Sequence, residues 1–294
     1  MTPIFILGLQ RSGTTWLANM LAGSGAVAAV TAEEHRGVHE SVFFSHFARA
    51  FGRFADPGAR ARFRTAFEAS DYFLLTGLET CILDDAIRRS VNYGGVFRAV
   101  MDEFARRRGC AHWLEKSPHH SLLAEELAAR FPDARFLCVT RDSRSLIASR
   151  LAAYGREPRR GWRRVADIIR GTAANRLHQD ALRRFAAGRQ NALLIRYEEM
   201  LSDAQGSRDR LVRFLDLDVT PEALDSAFAP NSSHAGRSGT RTLSRVDHGL
   251  IRGADAASRV LPTAALRRVA DRRRAARGAD WPDWVWLKTG YRPD

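Results

Sequence analysis

Lysine is nearly missing from this chain: 46 residues are Lys or Arg, yet only two of them, Lys116 and Lys288, are lysine. Cysteine is scarce as well. Cys81, Cys110 and Cys138 are 3 in number, widely spaced and without a C-x-x-C pair, which excludes a disulfide framework and a zinc knuckle and fits a reducing compartment. Long apolar runs are absent too. The stretch 3–9 is too short for a signal-peptide core, and nothing approaches the roughly 18 apolar residues that span a membrane, so a cytoplasmic protein with no membrane span is expected. No internal repeat or low-complexity linker occurs, which excludes repeat arrays and leaves no natural cut between domains.

What is present reads as globular. Of 294 residues, 45% are hydrophobic and 27% charged, which predicts one large domain over 1–294. The net charge of +13 favours anionic partners. The arginine-dense run 267–277 has no aromatic residues interleaved to stack bases, so it reads as a solvated face and no nucleic acid is expected.

Strand-like and helix-like segments alternate, which predicts an α/β fold, a parallel sheet flanked by helices. The expected strands are 4–9, 27–31, 113–115, 135–140 and 192–197, short apolar runs bounded by polar turns. Helices are expected over 14–22 and 143–153. Residues 42–108, with "FLLTGLETCILDDAI" and "VFRAVMDEFARRR", have helical periodicity and no strand, and read as a helical insertion over the C-terminal edge of the sheet, where ligands of such sheets bind. The C-terminal segment 260–294 is helical and then Trp-rich. Its end, "DWPDWVWLKTGY", is expected to dock on the core.

The first strand runs into "FILGLQRSGTTWL", residues 5–17. From Gly8 this has the frame of a phosphate-binding P-loop, G-x-x-x-x-G and two hydroxyl residues, but Thr14 stands where the lysine belongs. Strand, turn and helix start still aim N–H groups and a helix dipole at an anion. The loop has its cation inside the turn, at Arg11, and Trp16 in the first helical turn can lie beside a ribose or adenine.

"QRSGTTW" resembles the 5'-phosphosulfate loop of the sulfotransferases that use 3'-phosphoadenosine 5'-phosphosulfate (PAPS), P-loop relatives whose donor has no γ phosphate for a Walker lysine to reach. The resemblance implies that Arg11, Ser12, Gly13, Thr14, Thr15 and Trp16 hold the donor. "VTRDSRSLIASR", residues 139–150, resembles the family's 3'-phosphate motif and implies that Arg141 and Ser149 grip that phosphate, a role suited to a bidentate guanidinium and a directed hydroxyl. "LLIRYEEML" resembles the family's turn after a late strand and implies Tyr197 near the adenine. "GRSGTRTLSR", residues 236–245, lies where the family closes a basic loop over the donor, which implies Arg241, with Arg237 as its rival.

Sulfuryl transfer to a hydroxyl or amine acceptor needs a base, cations for the sulfate oxygens and help for the departing bisphosphate. Lys116, in "WLEKSPHH", follows an apolar strand in a chain that otherwise uses arginine, and a lysine there supplies a compact, rotatable ammonium. The resemblance agrees, since a Lys in a K-[ST]-P setting contacts the transferred sulfate. "VTAEEHRGVHES" resembles the E-E-T turn of the tyrosylprotein sulfotransferases and implies Glu33 as base. Glu34, His119 and His120 are rivals, His119 being better suited to cap the next helix. His35 and His39 lack a third ligand, so no metal is expected. Competing readings are a P-loop kinase or NTPase, opposed by the missing lysine, and a non-catalytic binder of nucleotide or nucleic acid. The hydroxyl-bearing acceptor and the oligomeric state have no motif to name them.

Overall fold

The computed structural model describes residues 1–33, 37–153, 160–225, 243–260, 267–268 and 280–292. Five parallel strands form its centre. They are β1 (Thr2–Leu7), β2 (Val27–Ala29), β5 (His112–Lys116), β6 (Arg135–Thr140) and β7 (Ala192–Arg196), in the spatial order β2-β5-β1-β6-β7. The register pairs Ile6 of β1 with Lys116 on one side and with Leu137 on the other, so the C-terminal ends of the three central strands lie together. The chain leaves β1 for α1 (Thr14–Gly23) and then β2 on one flank. It later crosses to β6 and β7 on the other, which makes the end of β1 the switch point where such sheets bind ligands.

The expected strand 27–31 is broken in two. Val30 turns its carbonyl to the N–H of His39 at 2.8 Å, and the chain leaves the sheet as a small antiparallel hairpin. Its strands are β3 (Thr31–Ala32) and β4 (Gly37–Val38), with Thr31 opposite Val38.

After the hairpin come a π-helical turn, Phe43–Phe47, and the helices α2 (Ala48–Ala50), α3 (Pro57–Glu68), α4 (Asp71–Thr76), α5 (Thr80–Arg89) and α6 (Tyr93–Arg107). Three of these helices begin at a side-chain cap: Asp56 accepts from Gly58 N–H, Ser70 from Phe73 N–H and Asn92 from Gly95 N–H. The segment packs into one face of the sheet and does not only cross its edge. Phe43, Phe44, Phe63, Phe67 and Phe97 interlock with Phe5, Trp113 and Phe136 from the strands, for example Phe43 with Phe97 at 4.6 Å and Phe5 with Phe136 at 5.6 Å. Each fully buried ring of this kind stabilises the fold by about 1.5–3 kcal/mol. Alternation in β1 sends Phe5 and Leu7 to that face, and Ile4 and Ile6 to the other, where they meet Leu17, Leu21, Leu114 and Val139.

The second half adds a 3-10 turn (Pro118–Leu123), α7 (Ala124–Arg130), α8 (Ser143–Ala153), α9 (Gly161–Ala186), α10 (Tyr197–Ser202), α11 (Ala204–Leu215), a second 3-10 turn (Pro221–Ala223) and α12 (Arg245–Val260). Arg164 of α9 holds Asp247 of α12 with two bonds, 3.0 and 2.8 Å. The Trp-rich end docks as expected, and it docks on the helical segment: Trp286 Nε1 donates to the Ala66 carbonyl at 2.7 Å, and Val285 accepts from Asp71 N–H at 2.8 Å. Among the described residues, no helix is long and apolar enough to cross a membrane.

Candidate active site

The loop after β1 is shaped by two left-handed residues, Arg11 at φ 76° and Gly13 at φ 95°. Glycine is required twice. A Cβ on Gly8 would stand 2.6 Å from Thr14 Cγ2, and one on Gly13 would stand 2.2 Å from Tyr197 Cδ2. Ser121 clamps the loop's start, accepting from Gly8 N–H at 2.8 Å and donating to its carbonyl at 2.7 Å. Helix α1 then starts at Gly13 with no side-chain cap and no acidic residue in its first turn, so nothing in that turn offsets the positive end of its dipole.

Three groups from distant parts of the chain meet this loop. Arg11 donates from Nε and Nη2 to Ser149 Oγ of α8 at 3.2 and 3.1 Å. Arg141, at the end of β6, donates from Nη1 to the Arg11 carbonyl at 2.8 Å and lies over the Tyr197 ring at 4.1 Å. Trp16 meets the same ring edge-on at 5.9 Å. The structure therefore brings Arg11, Gly13, Trp16, Arg141, Ser149 and Tyr197 into one connected cluster. Sequence reasoning missed the residues behind it: Asn175 and Gln179 of α9 both donate to the Arg141 carbonyl, at 3.0 and 2.6 Å. Asp142 feels the Arg141 charge, but its carboxylate oxygens are turned to the next helix. It caps α8 by accepting from Arg144 N–H and Ser145 N–H at 2.8 and 3.0 Å. Burial works against its ionised form, but the Ser145 hydroxyl, those backbone bonds and the Arg141 charge outweigh it, and the carboxyl sits below its ordinary range.

Two guanidiniums and a hydroxyl converging beside an uncapped helix start fit a ligand with more than one phosphate-like group. The missing lysine leaves no ammonium at the loop itself.

Lys116 ends β5 almost fully buried, 2% exposed, with Nζ 2.8 Å from Glu40 Oε1. Glu40 was not foreseen. The signal that could have found it is the isolation of the lysine itself, since a buried ammonium needs a counter-charge and Glu40 follows the hairpin that continues from β2, the strand paired with β5. Glu33 stands exposed where the hairpin turn begins, and no hydrogen bond or ion pair among the described residues ties it to Lys116. Glu34, His35, Arg237 and Arg241 lie outside the described residues.

The two histidines after Lys116 differ. His120 is buried with both ring nitrogens engaged, Nε2 accepting from Phe44 N–H at 3.1 Å and Nδ1 bonded to Glu115 Oε2 at 2.9 Å, so it offers no lone pair to an acceptor. His119 lies within the 3-10 turn against the ring of His46, centroids 5.4 Å apart, and Leu123 occupies the cap position of α7 instead. Val42, just before the π turn, is held at φ 44°, a left-handed conformation that costs a β-branched residue about 1–3 kcal/mol.

A family model described as the sulfotransferase family matches residues 3–221, from β1 through the cluster above. The chain belongs to the sulfotransferase family. A sulfotransferase from Alicyclobacillus acidocaldarius shares the fold: 19% identity, 88% of this chain and 92% of that one, TM-score 0.51. The sulfotransferase domain of the Synechococcus PCC 7002 olefin synthase aligns over 92% of this chain and 94% of its own at 17% identity, TM-score 0.48. A sulfotransferase from Mycobacterium tuberculosis H37Rv aligns over 87% and 76% at 19% identity, TM-score 0.45. No curated protein sequence gives a significant match. This sulfotransferase is thus an enzyme with a P-loop-like α/β fold, and its lysine-free loop suits a donor that ends in sulfate.

Proposed function

We propose that this sulfotransferase takes the sulfuryl group of PAPS and moves it to a hydroxyl, or an amine, of an acceptor. The observation that carries the reading is the cluster of Arg11, Arg141 and Ser149 at the uncapped start of α1. Arg141 and Ser149 hold the 3'-phosphate, and Ser12, Thr14, Thr15 and the loop N–H groups hold the 5' side. Tyr197 and Trp16 give the adenosine an aromatic wall, and Arg241 is the further cation assigned to the donor by resemblance alone. PAPS supplies the sulfuryl group, and 3'-phosphoadenosine 5'-phosphate is the product that leaves.

A carboxylate takes the acceptor proton as the acceptor oxygen bonds to sulfur and the bond from sulfur to the 5'-phosphate oxygen breaks. Lys116 and Arg11 balance the charge that grows on the departing phosphate. Glu33 is the base in this reading: it stands exposed beyond the sheet edge, where an acceptor can reach it. Glu40 is a second candidate, favoured by its contact with Lys116 at 2.8 Å, which puts a carboxylate beside the transferring group. A cytoplasmic setting fits the three free thiols, Cys81, Cys110 and Cys138.

The test is a thermal-shift series with bisphosphoadenosine and ATP, followed by labelled PAPS with a metabolite pool. Binding to the native state alone stabilises by RT ln(1 + [L]/Kd), about 2.7 kcal/mol at a hundredfold excess over Kd. The expected outcome is a large shift with bisphosphoadenosine, a small one with ATP, and labelled acceptor. Equal shifts with no labelled product would overturn the reading.

A further inference from the structure

Glu115 is buried at the end of β5, one residue before Lys116, and its carboxylate contacts lead to the segment that carries Glu40. Its Oε1 accepts from Ser41 Oγ at 2.7 Å and from Ser117 Oγ at 2.5 Å, and its Oε2 meets His120 Nδ1 at 2.9 Å. Each of those side chains in turn accepts a backbone N–H, and the three N–H groups are consecutive. Val42 N–H donates to Ser117 Oγ, Phe43 N–H to Ser41 Oγ and Phe44 N–H to His120 Nε2, each at 3.1 Å. These are groups at the start of the turn Phe43–Phe47, where a helix leaves its N–H groups without partners of its own. The acceptor role of His120 Nε2 leaves the ring proton on Nδ1, pointing at Glu115. Burial opposes the ionised carboxylate, and the pull of the His120 ring with the bonds from His120, Ser117 and Ser41 outweighs it, so the carboxyl lies below its ordinary range.

A cap needs far less than this. The starts of α3, α4 and α6 are each served by one side chain, Asp56, Ser70 and Asn92. Here four buried polar side chains, Ser41, Glu115, Ser117 and His120, are spent on one short turn, at a position where an unpaired charge would be costly. What distinguishes the place is its neighbours. Glu40 directly precedes Ser41, and Lys116 lies between Glu115 and Ser117. Both halves of the Glu40–Lys116 pair are therefore chain neighbours of the hydrogen-bonded hub.

We propose that Glu115 is a positioning residue for sulfuryl transfer: through Ser41, Ser117 and His120 it fixes Glu40 against Lys116 and so sets where the ammonium stands. The inference rests on Lys116 being the catalytic cation. Glu115→Gln probes it, because both carboxylate oxygens accept in the native hub and an amide must turn its NH2 toward a donor. A misplacement of about 1 Å at a reacting group costs on the order of 10- to 100-fold in rate. The expected outcome for Glu115→Gln is a loss of that size in kcat, with the Kd for bisphosphoadenosine changed less than about threefold. Coupling is the readout that a purely structural role would not move. In a double-mutant cycle, adding Glu40→Gln to Glu115→Gln should cost little more, since the first change has already released the pair.

Where Glu115→Gln does not fold, Ser117→Ala removes a single arm of the hub, and the same cycle is read there. Full kcat in the folded variant, or losses that simply multiply with those of Glu40→Gln, overturns the proposal. Lys116→Ala run beside it separates the two ideas. An active Lys116→Ala overturns the underlying reading, whereas an inactive Lys116→Ala with a fully active Glu115→Gln overturns the positioning role alone.

Discussion

In the proposed reading, the donor side and the acceptor side of the site hold their cations in different ways. On the donor side, Arg141 donates to the Arg11 carbonyl and lies over the face of Tyr197, and its own carbonyl is pinned by Asn175 and Gln179. On the acceptor side, Lys116 is matched by the Glu40 carboxylate, and the segment around that pair is tied to a second carboxylate, Glu115. A guanidinium keeps its charge at any ordinary pH and grips a dianion alike in ground and transition states. An ammonium held by a carboxylate must exchange that partner when sulfate arrives, so its contact can strengthen during the reaction. Affinity should accordingly reside on the donor side and rate on the acceptor side.

The sharpest way to break this contrast is at the base. Glu33→Gln keeps the size and loses the basicity, so transfer should fall by about 10²- to 10⁴-fold with bisphosphoadenosine affinity nearly unchanged. The acidic limb of the pH profile should vanish with it. If Glu40→Gln shows this pattern and Glu33→Gln stays active, the proton goes to the carboxylate beside Lys116. Next in size is Lys116→Ala, expected to lower kcat by about 10²- to 10³-fold, as loss of one charge-stabilising donor does, and to leave Kd for bisphosphoadenosine within a few fold. A variant impaired only in affinity would move Lys116 to the donor side.

Arg141→Ala should do the reverse. Removing a charged hydrogen-bonding partner of a phosphate costs about 1.5–3 kcal/mol, or roughly 10- to 150-fold in Kd, while kcat at saturating donor falls little. Isothermal titration with bisphosphoadenosine and saturation kinetics give the two numbers, and a kcat loss without an affinity loss would erase the contrast. The smallest effect concerns acid. Burial, then the nearby His119 and His120, lower the His46 pKa from 6.5 to about 4. The unfolded chain therefore takes up this proton first, and the stability it carries is full above pH 6.5 and is lost as pH falls toward 4. Between pH 7 and 5 the loss should be about 2 kcal/mol, read as a lower urea midpoint, and His46→Gln should flatten that slope.

The grouping around the loop after β1 was legible in the sequence and most of the surroundings of Lys116 were not, for a physical reason. Phosphate binding uses short unbroken stretches: a strand end, a turn and a helix start. So "QRSGTTW" and "VTRDSRSLIASR" carry Arg11, Arg141 and Ser149 in plain view, and β6 and α8 have the bounds expected of them. Lys116 was visible because it is rare. Glu40 was not, because its partner lies 76 residues away and no periodicity joins them. The hub was hidden likewise, since Ser41 and Glu115 are 74 residues apart. The break after β2 also escaped notice, because an apolar run shows where a strand begins more clearly than where its backbone turns to another partner such as His39.

The Trp-rich end has a consequence for how the chain is made. Trp286 and Thr289 bond to Ala66 and Ala69, residues emerging 220 positions earlier. At roughly 5–20 residues per second, a ribosome needs on the order of ten to forty seconds between the two. Throughout that interval the rings of Phe47 and Phe51, which Trp281 covers in the finished structure, are without their lid. The nascent sulfotransferase thus has two aromatic rings that stay without this cover until Trp281 has been made.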